Sequence, residues 1–138
     1  MNMDGEGRRA VRSPWVLIVD DSENSAATLE VALLGIPGLA VLTASSGAEA
    51  LSILETSNNA AAVVTDLNMP RMDGFELIRR LREDQRLCAT PIVVVSADTD
   101  PATPERVARL GANAYFSKPF SPAAVRRKLE QILDATTQ

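Results

Sequence analysis

A chain of 138 residues, 46% hydrophobic and 23% charged, has the size and composition of one globular domain with a proper core, and excludes a two-domain protein. Its net charge of −4 and pI near 4.8 argue against nucleic acid as the default partner, because phosphate binding needs a basic surface. The absence of histidine and the single cysteine exclude an internal disulfide, a Cys/His zinc site, Ser-His-Asp and Cys-His hydrolases, and any phosphohistidine carried by the chain itself.

Residues 1–13, "MNMDGEGRRAVRS", are polar and aperiodic and are expected to form a flexible tail before one domain over 14–136. "WVLIVD" (15–20) predicts a strand, followed by a helix whose Ala26, Leu29, Leu33 and Ile36 share a face and which Gly35 stops. "LAVLTA" (39–44) predicts a second strand, and Ser46 with Glu49 a capping box on the next helix. "AAVVTD" (61–66) ends on a carboxylate, after which Asp73 caps a helix carrying Phe75, Ile78 and Leu81. "PIVVVSA" (91–97) precedes Thr103-Pro104, read as an N-cap and first-turn proline, and a helix ending at Gly111. "AYFSK" (114–118) leads to Ser121-Pro122 and a last helix through Val125, Leu129 and Ile132, leaving only "DATTQ". Cys88 reads as a loop or helix-end thiol. Nearly all-apolar strands alternating with helices imply an α/β fold with a parallel sheet covered on both faces.

In open parallel sheets ligands bind beyond the carboxyl ends of the strands. The polar residues there are Asp20 and Asp21, Asp66, Ser96 and Lys118. Taken singly, each has an ordinary explanation: a strand-end Asp or an Asp pair caps a helix, and a Lys before Pro119 lies on the surface. Together they make a constellation. Crowded carboxylates repel unless a cation neutralises them, and oxygen ligands without His or Cys suit magnesium, with manganese as the alternative, rather than zinc. Asp66 can then act as a nucleophile towards phosphorus, with Lys118 and Ser96 contacting the phosphoryl oxygens.

"LIVDDS" at 17–22, "VVTDLNMPRMDGFE" at 63–76, "VVVSA" at 93–97 and "YFSKPF" at 115–120 resemble, in order, the sequence blocks of the receiver domain of two-component response regulators, the CheY-like family. The resemblance covers about residues 14–135. It implies a flavodoxin-like (βα)5 fold with strand order 2-1-3-4-5. It also implies Asp20 and Asp21 as the acidic pair serving Mg2+, Asp66 as phosphoacceptor, and the backbone carbonyl of Asn68 as a further metal ligand. Ser96 becomes the switch hydroxyl, Tyr115 the switch aromatic, Lys118 the phosphate contact, and Lys118-Pro119 a cis peptide. Asn68 and Asp98 are expected to flank the water approach and tune the phosphoryl lifetime.

The expected function is a phosphorylation-dependent switch rather than a conventional enzyme. The donor is a histidine kinase or histidine phosphotransfer protein. The output protein binds the face made by the fourth helix, fifth strand and fifth helix. Arg126-Arg127-Lys128 is read as a solvated face, and Arg8, Arg9 and Arg12 as too few for DNA. No apolar run approaches the roughly 20 residues of a membrane span and no signal-peptide core is present, so a cytoplasmic location without direct nucleic-acid or membrane binding is expected. Either a stand-alone receiver or a receiver piece of a longer regulator fits. The alternatives are a pseudo-receiver that is never phosphorylated and a haloacid-dehalogenase-type phosphohydrolase. The latter wants a second Asp where Asn68 stands.

Overall fold

Val16, Leu17, Ile18 and Val19 are all buried, which a strand tolerates only when both faces of its sheet are covered. The computed structural model describes residues 14–57 and 59–137; the expected N-terminal tail lies outside the described residues. Strands β1 (Trp15–Val19), β2 (Ala40–Ala44), β3 (Ala60–Thr65), β4 (Ile92–Ser96) and β5 (Ala114–Ser117) alternate with helices α1 (Glu23–Leu34), α2 (Gly47–Thr56), α3 (Gly74–Glu83), α4 (Thr103–Leu110) and α5 (Pro122–Thr137). All neighbouring strands pair in parallel, in the order 2-1-3-4-5.

The two-residue period of the strands sorts their side chains onto two cores. Leu17, Val19, Val63, Ile92 and Val94 point to one face, where they meet Leu54 of α2, Leu77, Ile78 and Leu81 of α3 and Val107 of α4. Val16, Ile18, Val64, Val93 and Val95 point to the other, against Leu29 and Leu33 of α1 and Val125 and Leu129 of α5. Each fully buried Leu or Val side chain contributes about 1.5–3 kcal/mol relative to exposure.

Most helix ends follow the expected chemistry. Asp73 accepts from Glu76 N–H at 2.9 Å, Ser46 from Glu49 N–H at 3.1 Å and Ser121 from Ala124 N–H at 3.1 Å. Gly111 closes α4 with a left-handed φ of 116°. Five details differ from expectation. Ile36 lies beyond the end of α1 and enters the core from the turn that follows it. Thr103 is the first helical residue, not the cap, and is buried; the preceding loop is shaped by Asp100, whose carboxylate accepts from Ala102 N–H at 2.9 Å. Glu49 reaches Ser45 N–H at 2.7 Å rather than closing a reciprocal box with Ser46. The stretch left over as "DATTQ" is helical through Thr137. The basic run on α5 is not a uniform solvated face, because the helical period exposes Arg127 and half-buries Arg126 and Lys128.

Candidate functional site

Register decides which strand-end residues meet. Val19 pairs with Thr65, and Asp66 N–H donates to the Val19 carbonyl at 2.9 Å. Asp20 and Asp66, each one step further along, therefore leave the sheet side by side. Carboxylate oxygens of Asp20, Asp21 and Asp66 all lie within 4.8 Å of one another. Asp20 and Asp66 are buried while Asp21 is exposed, so the cluster opens at one side only. On the other half of the sheet Ser96 pairs with Ser117, and Lys118 N–H donates to the Ser96 carbonyl at 2.8 Å. The peptide between Lys118 and Pro119 is cis, and the lysine side chain reaches across the strand ends to Asp20 and Asp66.

The carboxylate of Asp66 is held from two sides. Its Oδ1 accepts from Leu67 N–H at 2.6 Å and Asn68 N–H at 3.3 Å, and its Oδ2 lies 3.1 Å from Lys118 Nζ. Asp20 Oδ1 accepts from Ser22 N–H at 2.9 Å, and its Oδ2 also lies 3.1 Å from Lys118 Nζ. Burial pushes the Asp20 pKa up, and the Ser22 and Lys118 hydrogen bonds offset that only in part. For Lys118 burial pulls the pKa down, but the hydrogen bonds to Asp66 and Asp20 outweigh it and the net direction is up. The lysine is thus a firm ammonium among acids.

Three close carboxylates with only oxygen donors fit a hard divalent cation such as magnesium. One of them is open to solvent, which leaves room for coordinated water. The exposed Asn68 adjoins the cluster through its own N–H bond to Asp66.

Ser96 and Tyr115 stand apart from this cluster in the hydrogen bonds they make. Ser96 is fully buried, and its hydroxyl accepts from Asp98 N–H at 3.1 Å. Tyr115 is half-buried and its hydroxyl donates to the Asp98 carbonyl at 3.3 Å. The Asp98 carboxylate is turned into its own loop, where it accepts from Asp100 N–H at 2.8 Å.

Two residues that the sequence reading passed over belong to the site. A Cβ on Gly74 would lie 2.2 Å from the Asp66 carbonyl oxygen, so the helix α3 start packs directly on the backbone of the central acid. An Asp-Gly pair soon after a strand-end acid is the available signal, but Asp73 reads first as a helix cap. Ser25 of α1 places its hydroxyl 3.2 Å from Lys118 Nζ; nothing in its spacing from other residues announces that contact.

Comparison with known proteins points to one family. A family model for the response regulator receiver domain matches residues 16–130. Chemotaxis protein CheY1 of Helicobacter pylori is 32% identical over 118 residues, covering 86% of this chain and 95% of that protein. Among solved structures, the chemotaxis response regulator CheY4 of Vibrio cholerae is 31% identical with a TM-score of 0.78, covering 87% of this chain and 98% of that one. The receiver domain of the Francisella response regulator 1452 is 28% identical with a TM-score of 0.80, covering 89% and 98%.

Proposed function

The chain belongs to the response regulator receiver family, and from that premise we propose that its domain over 14–136 accepts a phosphoryl group on Asp66 and switches a protein-interaction surface. The observation that carries this reading is the Asp66 carboxylate, buried at a strand end with two further carboxylates within 4.8 Å and an ammonium at 3.1 Å.

In the forward step a carboxylate oxygen of Asp66 attacks the phosphorus of an N-phosphorylated imidazole on another protein. The P–N bond breaks, the imidazole nitrogen leaves with the electron pair and takes up a proton, and Asp66 becomes an acyl phosphate. Asp20, Asp21, Asp66 and the Asn68 carbonyl would hold a divalent cation; magnesium, or manganese in its place, would supply positive charge against the phosphoryl oxygens. The Leu67 and Asn68 N–H groups fix the carboxylate's orientation. Lys118 contacts a phosphoryl oxygen in place of the bare carboxylate. Hydrolysis reverses the state: water attacks phosphorus and gives up a proton, the P–O bond to Asp66 breaks, inorganic phosphate leaves, and the carboxylate returns. Asn68, beside Asp66, and Asp98, once its carboxylate is released from Asp100 N–H, set the rate of that attack.

Switching follows from the added charge, roughly −1.5 to −2. The Ser96 hydroxyl leaves Asp98 N–H and donates to the phosphoryl group, and Tyr115 responds. Hydrogen bonds to charged groups contribute about 1.5–3 kcal/mol each. A 1:99 to 99:1 shift needs about 5.5 kcal/mol. Together the Ser96 and Lys118 contacts give about 3–6 kcal/mol gross, but each replaces a bond already made, to Asp98 N–H or to Asp66, so the net drives only an equilibrium that starts near balance. The output face is α4, β5 and α5, and the donor is a histidine kinase or phosphotransfer protein. Among the described residues no helix is long and apolar enough to cross a membrane, and the cytoplasm is the proposed location. The only catalysis is self-phosphorylation from the donor and autodephosphorylation.

Intact-mass measurement after incubation with magnesium and a small acyl-phosphate donor tests the reading. One phosphoryl adduct is expected on the wild type and none on Asp66→Asn. An adduct on both proteins moves the acceptor elsewhere, and none on either counts against phosphorylation from such donors.

A further inference from the structure

We propose that Ser25 is a positioning residue for Lys118, giving the ammonium a neutral resting place when a divalent cation occupies the carboxylates. The inference rests on the reading above and adds a residue to it.

An ammonium has three N–H donors, and Lys118 Nζ has three acceptors: Asp20 Oδ2 and Asp66 Oδ2, each at 3.1 Å, and Ser25 Oγ at 3.2 Å. Two of these are the acids that a cation must also use. The third differs in charge and in origin. It is a hydroxyl, and it comes from α1 rather than from a strand end. The backbone at Ser25 is fixed in the first turn of that helix, where its N–H donates to the Ser22 side chain at 3.3 Å. Ser25 and Lys118, with Ala97 and Phe120, line one cleft of about 520 Å³, so the long lysine arm has room to shift.

A cation among Asp20, Asp21 and Asp66 draws their oxygens towards itself and repels the nearby ammonium. The carboxylates then become poorer acceptors for Lys118, while the Ser25 hydroxyl is unchanged. Its hydrogen bond to Lys118 is consequently stronger relative to the alternatives in the cation-bound protein than in the cation-free one. Removing it costs the bound state more, and leaves the lysine competing for the acids.

Amide chemical-shift titration with magnesium alone reads the dissociation constant without any turnover. A hydrogen bond to a charged group, expressed only in part as a difference between the two states, corresponds to about a three- to tenfold change. Ser25→Ala is expected to weaken magnesium by about that factor, Ser25→Thr to restore wild-type affinity, and Lys118→Ala to tighten it. In the Lys118→Ala background, Ser25→Ala is expected to have no effect. Unchanged affinity in Ser25→Ala overturns the inference. So does an equal loss with Lys118 absent, which would assign Ser25 a role in α1 alone, or failure of the threonine to restore. A wild type that binds no magnesium removes the proposed function as well, whereas normal magnesium binding without a Ser25 effect removes only this inference.

Discussion

The Tyr115 hydroxyl donates to the main-chain carbonyl of Asp98 at 3.3 Å. The N–H of the same Asp98 donates to the Ser96 hydroxyl at 3.1 Å. The backbone of one loop residue therefore joins two side chains on neighbouring strands. In the proposed switch this gives a physical link between them: a serine that turns to a phosphoryl group releases Asp98 N–H, and the loop is then anchored chiefly through Tyr115.

Tyr115→Phe tests that link, because it removes the donor and keeps the ring. Amide exchange across Asp98–Asp100 is expected to quicken by about three- to tenfold, the local equivalent of one hydrogen bond. Global stability should fall by about 1 kcal/mol or less. Hydrogen-exchange mass spectrometry reads both, and exchange unchanged in that loop would show that Tyr115 does not hold it.

Gly74 is required by close approach rather than by its own torsions. An added Cβ would lie 2.2 Å from the Asp66 carbonyl oxygen and 2.7 Å from Leu67 Cα, and Gly74 N–H donates to the Leu67 carbonyl at 2.8 Å. The obstructing atoms are backbone and cannot rotate away. Gly74→Ala is expected to cost about 1–3 kcal/mol or more, as overpacking does, and to weaken magnesium by displacing Asp66. Urea unfolding measures the first effect; a midpoint equal to the wild type's would mean that the loop yields without cost.

Arg82 gives the clearest case of a residue invisible to pattern reading. Its Nε and Nη2 donate to the Gly111 carbonyl at 3.1 and 2.7 Å. Its Nη1 donates to the carbonyls of Cys88 and Thr90 at 3.0 and 2.8 Å, and Nη2 to Asn113 Oδ1 at 3.2 Å. One guanidinium from α3 thus ties the loop before β4 to the loop before β5, with no carboxylate involved. A lysine cannot reproduce that fork. Arg82→Lys should lose about 2 kcal/mol or more and resemble Arg82→Ala in urea unfolding; recovery to within about 0.5 kcal/mol of the wild type would reduce Arg82 to a point charge.

What could be read in advance was local or topological. Apolar runs of strand length and helical spacing identified the alternation. A parallel sheet then required Asp20, Asp66 and Lys118 to emerge at one edge. The contacts that were missed have no periodicity to betray them: Lys118 to Ser25 and Arg82 to Gly111 between distant parts of the chain, and Gly74 onto Asp66 across a single loop. Thr103-Pro104 failed for a different reason. It has the chemistry of a cap, but the carboxylates of Asp98 and Asp100 already fold the preceding loop, and Thr103 is drawn into the buried first turn. The run Arg126-Arg127-Lys128 misled because consecutive residues on a helix face different ways. A Cβ on Gly35 would lie 3.0 Å from Arg126 Nη1, which places that side chain against the end of α1.

Asp20 contributes to the pH dependence of the cation-free protein in a direction of its own. Burial raises its pKa above the ordinary value of 3.8, with the Ser22 N–H and Lys118 opposing only in part. A carboxyl with a raised folded pKa binds its proton more tightly in the native state. Its stabilising effect is full below the unfolded value and is lost as pH rises through the folded one. Asp20→Asn mimics the protonated form at every pH. In chelator, the variant should therefore gain on the wild type as pH climbs from about 4, and be the more stable protein at neutral pH. Excess magnesium should reverse the order, because only the wild type keeps the full set of acids; at one hundred times its dissociation constant the cation adds about 2.7 kcal/mol. Thermal unfolding across pH, with and without magnesium, measures both halves. A variant less stable than the wild type at neutral pH in chelator would show that the Lys118 ion pair outweighs the burial of Asp20.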